Sequence, residues 1–324
     1  MKKVLFATTA LVATAGVAAA DVSLSGSAEM GIFGGDTITA AGAITNRETQ
    51  FHQDIEVTFT LSGATDNGLS FGASIQLDEA SWTDSADDGG TTVFISGDFG
   101  RLTMGDTDGG FDWAMGEVNL AAGSLDDSET AHAGFNGNSG LDGTYDGQVL
   151  RYDYSVAGFG VAVSVELDDQ PAGGNDDPVI GLGFTYSGDM NGIGYRAGVG
   201  YQTRSTAAGI ETTIIGGSFG VTAGDLQVAL NLSEQTVDGN ANDQSHWAIG
   251  VGYTMDAWSF GANYGEYENR GNVANRDIEG YGVAVAYDLG GGAALQFGAS
   301  SSDVTNGGVT RDASQWSFGV SMSF

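Results

Sequence analysis

The feature that most constrains this chain is a strict two-residue alternation over residues 315–324. Glycine, serine and glutamine occupy one side of this run, and large apolar residues occupy the other. One side suits water and the other suits lipid, as in a transmembrane β-barrel strand of about ten residues. The apolar positions are Trp316, Phe318, Val320, Met322 and Phe324.

The same pattern recurs along the chain, with turn residues between the runs. It predicts an all-β fold, a 16-stranded antiparallel transmembrane β-barrel, because an even number of such strands is typical of bacterial barrels. The alternative is a soluble extracellular β-sandwich or solenoid, whose strands also alternate. The runs are about 21–33, 48–62, 69–78, 91–97, 101–106, 148–157, 159–168, 178–188, 192–203, 211–221, 225–235, 243–254, 257–268, 277–288, 293–303 and 311–324.

The connections and the aromatic residues also favour a membrane barrel. Very short connections, such as 97–100 and 290–292, alternate with longer polar ones, such as 79–90 and 169–177. Short turns at one end and longer loops at the other are typical of outer-membrane barrels. Aromatic residues lie at run ends, where interfacial girdles are expected: Tyr186, Tyr201, Tyr253, Trp258, Tyr267, Trp316 and Phe324.

The first twenty residues have the organisation of a secretory signal peptide. Lys2 and Lys3 precede an apolar run over 4–17, and three alanines ending at Ala20 form a small-residue cleavage site. The run is shorter than the roughly 20 residues of a spanning helix. We expect cleavage to leave Asp21 first, with residues 1–20 as signal peptide, 21–324 as barrel, and the outer membrane of a Gram-negative bacterium as the destination.

The charge of the chain limits its partners. The formal net charge is −32, and it becomes −34 when Lys2 and Lys3 leave with the signal peptide. Such acidity disfavours nucleic acid and favours cations in or around the molecule. The 16 Phe, 11 Tyr and 5 Trp are too many for a solvated acidic coil, and the absence of cysteine excludes disulfides and thiolate metal sites.

One segment, between Asp106 and Gly147, does not alternate, and loops of that length are usually functional or folded inward. The flanking segments 97–105 (GDFGRLTMG) and 148–154 (QVLRYDY), together with the terminal Phe324, resemble the alphaproteobacterial general-diffusion porins. That family consists of trimeric, 16-stranded outer-membrane porins. Asp106 is a departure, because many relatives have arginine there, so the charge arrangement of the pore cannot be transferred.

The resemblance implies an open channel for passive diffusion of ions and small hydrophilic solutes, formed by a homotrimer in outer-membrane lipid and lipopolysaccharide. It also implies that the barrel-assembly machinery reads Phe324, and that the segment at about 106–147 folds inward as the constriction. The acidic residues of that segment would make the channel mildly cation-selective: Asp106, Asp108, Asp112, Glu117, Asp126, Asp127 and Glu129. The alternatives are a substrate-specific channel, for instance for sugars, and a non-conducting adhesion or binding barrel.

Three arginines have the parity of lumen-facing residues. Arg101, Arg151 and Arg196 each lie beside outward apolar positions, so we expect their side chains to point into the barrel. Two interpretations remain open. They form a basic wall facing the acidic segment, since rings of charge set pore selectivity, or they pair with nearby acids and stiffen the wall.

A metal site and a catalytic site are weaker interpretations. The spacing of Asp106, Asp108, Asp112 and Glu117 partly matches a calcium loop, but Gly110 and Phe111 replace its fifth and sixth residues. No cofactor is required on this interpretation, and Ca²⁺ is a candidate ion. The three histidines, His52, His132 and His246, lie beside no nucleophile motif, so we expect no enzyme activity.

Overall fold

The computed structural model describes residues 21–78, 87–125, 130–145, 148–168 and 176–324, and the predicted signal peptide lies outside this part. The described residues form one helix, α1 (Gly110–Ala114), and sixteen strands. The strands are β1 (Asp21–Ile38), β2 (Ile44–Ala64), β3 (Ser70–Asp78), β4 (Asp87–Gly97), β5 (Gly100–Asp106), β6 (Gln148–Val156), β7 (Phe159–Glu166), β8 (Val179–Met190), β9 (Ile193–Ser205), β10 (Glu211–Ala223), β11 (Leu226–Val237), β12 (Gln244–Met255), β13 (Trp258–Glu268), β14 (Arg276–Gly290), β15 (Ala293–Asn306) and β16 (Val309–Ser323).

The strands form a closed antiparallel barrel in which each pairs with its neighbours in the chain. β1 closes the barrel on β16, from Ser27 opposite Ser323 to Gly35 opposite Gln315. The backbone of Phe324 continues this pairing, because its N–H donates to the Gly26 carbonyl oxygen at 2.8 Å. A closed barrel satisfies its backbone groups without help from lipid. The predicted fold class is confirmed.

The sixteen strands follow the predicted runs in order, and the largest difference lies in the first hairpin. β1 continues to Ile38 and β2 begins at Ile44, beyond the predicted limits of 33 and 48. A β-bulge between Phe33 and Gly35 explains the difference. An extra residue at a bulge reverses the side-chain parity, so the alternation ends while the strand pairing continues.

The two faces of the wall differ as the alternation predicts. On β7, Val163 points outward and is 44% exposed, whereas Ala162 and Glu166 point inward and are buried. Aromatic pairs lie outside the barrel near the short turns, with ring centroids of Trp258 and Tyr287 4.7 Å apart. The expectation that Tyr267 belongs to a girdle is wrong, because its ring points inward and is 1% exposed.

The two ends of the barrel differ in their connections. The turn between β8 and β9 has only Asn191 and Gly192, with φ of 56° and 80°, as a type I′ hairpin requires. The first residues of β1 and the last residues of β16 lie at this short-turn end. In the described parts of the chain, no helix is long and apolar enough to cross a bilayer. The longest connection lies between Asp106 and Gln148, and residues 107–147 are called the long loop below.

Candidate functional site

The long loop lies inside the barrel against its inner wall. Helix α1 contacts β7, β8 and β9, and Leu125, further along the loop, reaches Gly31 of β1 and Gly319 of β16. The loop then returns, and the N–H of Tyr145 donates to Oε1 of Glu166 on β7 at 2.9 Å. Its first half therefore crosses the wall from β7 to β1, and its second half runs back.

Inward-facing glycines make room for this path. A Cβ added at Gly183 would lie 2.0 Å from the Gly110 carbonyl oxygen, and one at Gly298 would lie 2.2 Å from Cβ of Ser124. The values at Gly198 and Gly250 are both 1.9 Å, to loop carbonyl oxygens. No side chain fits at such distances, so glycine at these strand positions allows the loop backbone to approach the wall.

Polar side chains on the wall hold the backbone of the loop. The hydroxyl of Ser164 accepts from Gly110 N–H at 2.8 Å, and the hydroxyl of Ser218 accepts from Gly116 N–H at 2.8 Å. Asn231 donates to the Gly116 carbonyl oxygen at 2.8 Å. Buried backbone groups need such partners where no regular ladder supplies them, and strand side chains supply them here.

A buried pair of histidines holds the return half of the loop. Nδ1 of His132 accepts from the Gly134 N–H at 3.1 Å, so its Nε2 carries the proton and donates to Oδ1 of Asn263 at 2.7 Å. Nε2 of His246 donates to the Gly134 carbonyl oxygen at 3.0 Å. Burial lowers the pKa of His132 from 6.5 to about 4, which keeps this ring neutral near pH 7.

All three predicted arginines point inward, and two of them bind the loop. Nη1 of Arg151 donates to the Asp108 carbonyl oxygen at 2.6 Å, and its Nε pairs with Asp153 at 3.2 Å. Nη2 of Arg196 donates to the Trp113 carbonyl oxygen at 2.9 Å. The guanidinium carbon of Arg101 lies 3.8 Å above the centroid of the Phe94 ring.

Four aspartates line one pocket of about 210 Å³ beside α1. Three of them, Asp106, Asp108 and Asp112, were expected to act together, and Asp142 joins them from the return half of the loop. We call these four residues the acidic pocket. Glu117 lies instead in a separate cavity nearer the short turns, while Asp126, Asp127 and Glu129 fall outside the described residues.

Two aspartates of the acidic pocket, Asp112 and Asp142, have raised pKa values. Burial, followed by the charges of Asp108, Asp142 and Glu117, raises the pKa of Asp112 from 3.8 to about 7. Burial also raises the pKa of Asp142 to about 6, against the opposing hydrogen bond from the Gly109 N–H. Within the described residues, no group of three or more aspartate, glutamate, histidine or cysteine side chains has the arrangement of a metal site.

A second set of acids faces the lumen from β1, β2 and β3. Asp54 lies opposite Glu29 across the β1–β2 pair, and Glu56 lies opposite Asp78 across the β2–β3 pair. Neighbouring positions such as Phe51 point outward, with 85% of Phe51 exposed. We call these four acids the acidic wall. The parity of these four acids in the sequence was a sufficient signal for their inward position, whereas no local pattern places Asp142 in the acidic pocket.

A family profile described as Gram-negative porin matches residues 7–323, nearly the whole chain. The chain belongs to the Gram-negative porin family. A porin of Rhodobacter capsulatus is 28% identical over 320 residues, which cover 90% of this chain and 98% of the relative. The predicted family is thereby confirmed, and the protein is an outer-membrane porin that forms a diffusion channel.

Solved porin structures share the fold of this porin. One refined at 1.8 Å resolution matches with a TM-score of 0.69 and 24% identity, covering 94% of this chain and all of the other. A triple mutant of the Rhodopseudomonas blastica porin matches with a TM-score of 0.65 and 18% identity over the same shares. At these identities, the likeness supports the barrel architecture alone.

Proposed function

We propose that this porin forms a water-filled, cation-selective passage for ions and small hydrophilic solutes, between the long loop and the acidic wall. The observation that carries the proposal is the strand register of that wall, which places Asp54 opposite Glu29 and Glu56 opposite Asp78. Directly opposed like charges destabilise a sheet, by about 0.2–1 kcal/mol per pair. Mobile cations in a wet lumen offset this repulsion, and the wall then concentrates them.

The arginines support the same sign of selectivity. Arg151 and Arg196 each donate to a carbonyl oxygen of the long loop, so part of their hydrogen-bonding capacity holds that loop in place. Arg151 also has Asp153 beside it, which offsets its charge. For Arg151 and Arg196 we therefore favour the interpretation in which the arginines stiffen the wall over the one in which they form a basic wall facing the acidic segment.

Reversal potentials in planar bilayers test the proposed selectivity. Neutralising the acidic wall (Glu29→Gln, Asp54→Asn, Glu56→Gln and Asp78→Asn together) should weaken the preference for K⁺ over Cl⁻. The control is Glu279→Gln with Asp303→Asn, an opposed acidic pair on the outward face that matches Glu29→Gln with Asp54→Asn in charge removed and should leave the preference unchanged. An equal effect in both variants would place the selectivity elsewhere, and a wild-type barrel without conductance would favour the adhesion alternative.

The acids of the long loop are proposed to line the constriction from the other side. Asp106, Asp108 and Asp112 share the acidic pocket, and Glu117 lies further along the loop. Replacing the three aspartates together by asparagine should weaken the cation preference further. If the preference does not change, this loop does not line the narrow part of the passage.

Calcium binding in the loop stays a prediction. Asp106, Asp108 and Asp112 of the predicted calcium loop line the acidic pocket with Asp142, whereas Glu117 lies apart from them, so ion binding would require these carboxylates to move closer together. Carboxylate oxygens are the ligands that Ca²⁺ prefers. Calorimetric titration with CaCl₂ should show saturable binding that Asp112→Asn with Asp142→Asn removes, and an equal heat in both proteins would contradict a site there. No cofactor and no enzyme activity are expected of a channel of this family.

Export and assembly complete the proposal. Cleavage after Ala20 stays a prediction, and mass spectrometry of the mature chain tests it. The Phe324 side chain is 80% exposed at the end of the barrel seam, where assembly machinery can read it. Deleting Phe324 should reduce insertion into the outer membrane and leave inner-membrane export intact. We expect a homotrimer in a bilayer of lipid and lipopolysaccharide, testable by crosslinking in native membranes.

A further inference from the structure

A cavity of about 410 Å³ lies between the long loop and the short-turn ends of β9, β10 and β11. On the loop side it is lined by Gly116, Glu117 and Leu120. On the wall side, Arg196 and Gly220 are among its inward-facing residues. Its volume falls within the range of about 300–1,000 Å³ that is usual for small-molecule sites.

Two glycines on its wall are not explained by loop packing. The atoms nearest to an added Cβ at Gly194 and Gly220 lie 3.9 Å away, and they belong to neighbouring strands. At Gly198 and Gly250, by contrast, loop carbonyl oxygens lie at 1.9 Å. Glycines therefore leave the wall without side chains in two regions. One region contacts the long loop, and the other faces the cavity.

The cavity carries one charge of each sign. Glu117 and Arg196 are both exposed and both line it. The Arg196 guanidinium is fixed through Nη2 by the Trp113 carbonyl oxygen at 2.9 Å. Because a guanidinium has five N–H donors, this contact orients Arg196 and leaves donors for a ligand carboxylate. The Glu117 carboxylate can accept from a ligand ammonium.

The cavity offers no stacking surface for a sugar. Its aromatic residues are Tyr195 and Phe219, and both occupy outward strand positions, with Phe219 48% exposed on the outer face. Strand parity directs both rings towards the outer face of the wall. The apolar surface inside comes from Leu120 and Ala229. This chemistry favours a ligand with two opposite charges and a short apolar part.

We propose that the cavity is a lumenal binding site for a small zwitterion, an α-amino acid with a short apolar side chain. Its carboxylate would bind Arg196, its ammonium would bind Glu117, and its side chain would lie on Leu120. The site deepens the proposed function and rests on it, because a solute reaches this cavity through the open passage. It adds a transient binding step for one solute class.

Calorimetric titration of the full-length mature protein in detergent tests the site, with leucine as the probe. Leucine should bind saturably. N-acetylleucine lacks the ammonium and leucinamide lacks the carboxylate, so each should bind about tenfold more weakly, because one charge-assisted contact is lost. Equal binding of the three compounds, or no binding of leucine, would overturn the proposal.

A matched pair of variants locates the site. Gly220→Val fills the cavity and should raise the half-saturation concentration of leucine by about tenfold or more, through overpacking. Gly217→Val makes the same change on β10 at an outward position, where an added Cβ would meet only the Gly198 carbonyl oxygen at 3.7 Å, and should leave binding unchanged. Leucine binding that is the same in both variants would overturn the proposal.

A third variant keeps the test decisive if Gly220→Val does not fold. Glu117 is exposed on the loop, so its substitution should not disturb folding. Glu117→Gln should remove the preference for leucine over N-acetylleucine, because that preference depends on the ammonium. If that preference persists, the site is not the one proposed.

Potassium conductance in bilayers separates the two proposals, since a conducting protein that fails to bind leucine overturns this site alone. Binding without conductance contradicts the proposed passage instead.

Discussion

His132 stabilises the return half of the long loop only while its ring is neutral. Its Nδ1 accepts from Gly134 N–H, so a proton on that atom breaks the contact. The pKa of His132 falls from 6.5 to about 4 on folding. The unfolded chain therefore takes up the proton first, and the contribution is complete above pH 6.5 and lost as the pH falls from there towards 4.

Hydrogen exchange at the Gly134 amide tests this role. Its protection, corrected for intrinsic exchange rates, should decrease as the pH falls from about 6.5 to about 4. His132→Phe keeps a ring of similar shape but removes both hydrogen bonds, at a cost of about 1–3 kcal/mol from the buried groups left unpaired. The variant should show low protection at every pH. Equal protection in both proteins would mean that the ring only fills space.

Asp112 gives the pore a charge that changes near neutral pH. Its folded pKa of about 7 exceeds the ordinary 3.8, because burial and three neighbouring carboxylates disfavour the ionised form. Its contribution to stability is thus fully present below pH 3.8 and is lost as the pH rises through 7. In the folded channel this carboxyl ionises around pH 7, so the cation preference should rise as the pH increases through that value. Reversal potentials measured from about pH 5 to about pH 8 should show this step in the wild type and not in Asp112→Asn. The same midpoint in both would assign the step to another group.

The long loop is the element whose position depends most on glycine. Gly198→Val on β9 would place its Cβ 1.9 Å from the Ala114 carbonyl oxygen, so the loop must move. Such overpacking typically costs about 1–3 kcal/mol. Ala197→Val, on the outward side of the same strand, is the control. Only Gly198→Val should make the loop sensitive to chymotrypsin and alter the single-channel conductance. A loop that stays protected in Gly198→Val would show that this contact does not determine its path.

The strands could be predicted from the sequence, whereas the path of the loop could not. Side-chain parity is a local property of a strand. The alternation around Arg151 and Arg196 was therefore sufficient to predict that both side chains point inward. The contacts of the loop join distant residues, such as Gly110 with Ser164 and Gly116 with Ser218, 54 and 102 positions apart. No local pattern marks these partners, because serine and glycine also occupy inward positions on several other strands. Asp142 was missed for the same reason, 30 residues from Asp112.

At the scale of the whole molecule, the net negative charge and the acids that line the lumen both favour cations over anions. The chain carries 42 acidic residues, and acids face the passage from both the loop and the wall. Attraction of cations by such groups is screened by salt over about 10 Å at 0.1 M and about 3 Å at 1 M. The cation preference should therefore weaken as KCl is raised across that range, as measured by reversal potential. A preference that is independent of salt would indicate selection by pore size.

The most direct test of the account is the zero-current potential of the purified wild-type porin in a planar bilayer with a KCl gradient. The acidic wall and the acidic pocket together predict that K⁺ crosses more readily than Cl⁻. The dilute side should then become positive, and neutralising the acidic wall should reduce this potential. A dilute side that becomes negative would contradict the account, because it would mean that anions pass more readily than cations.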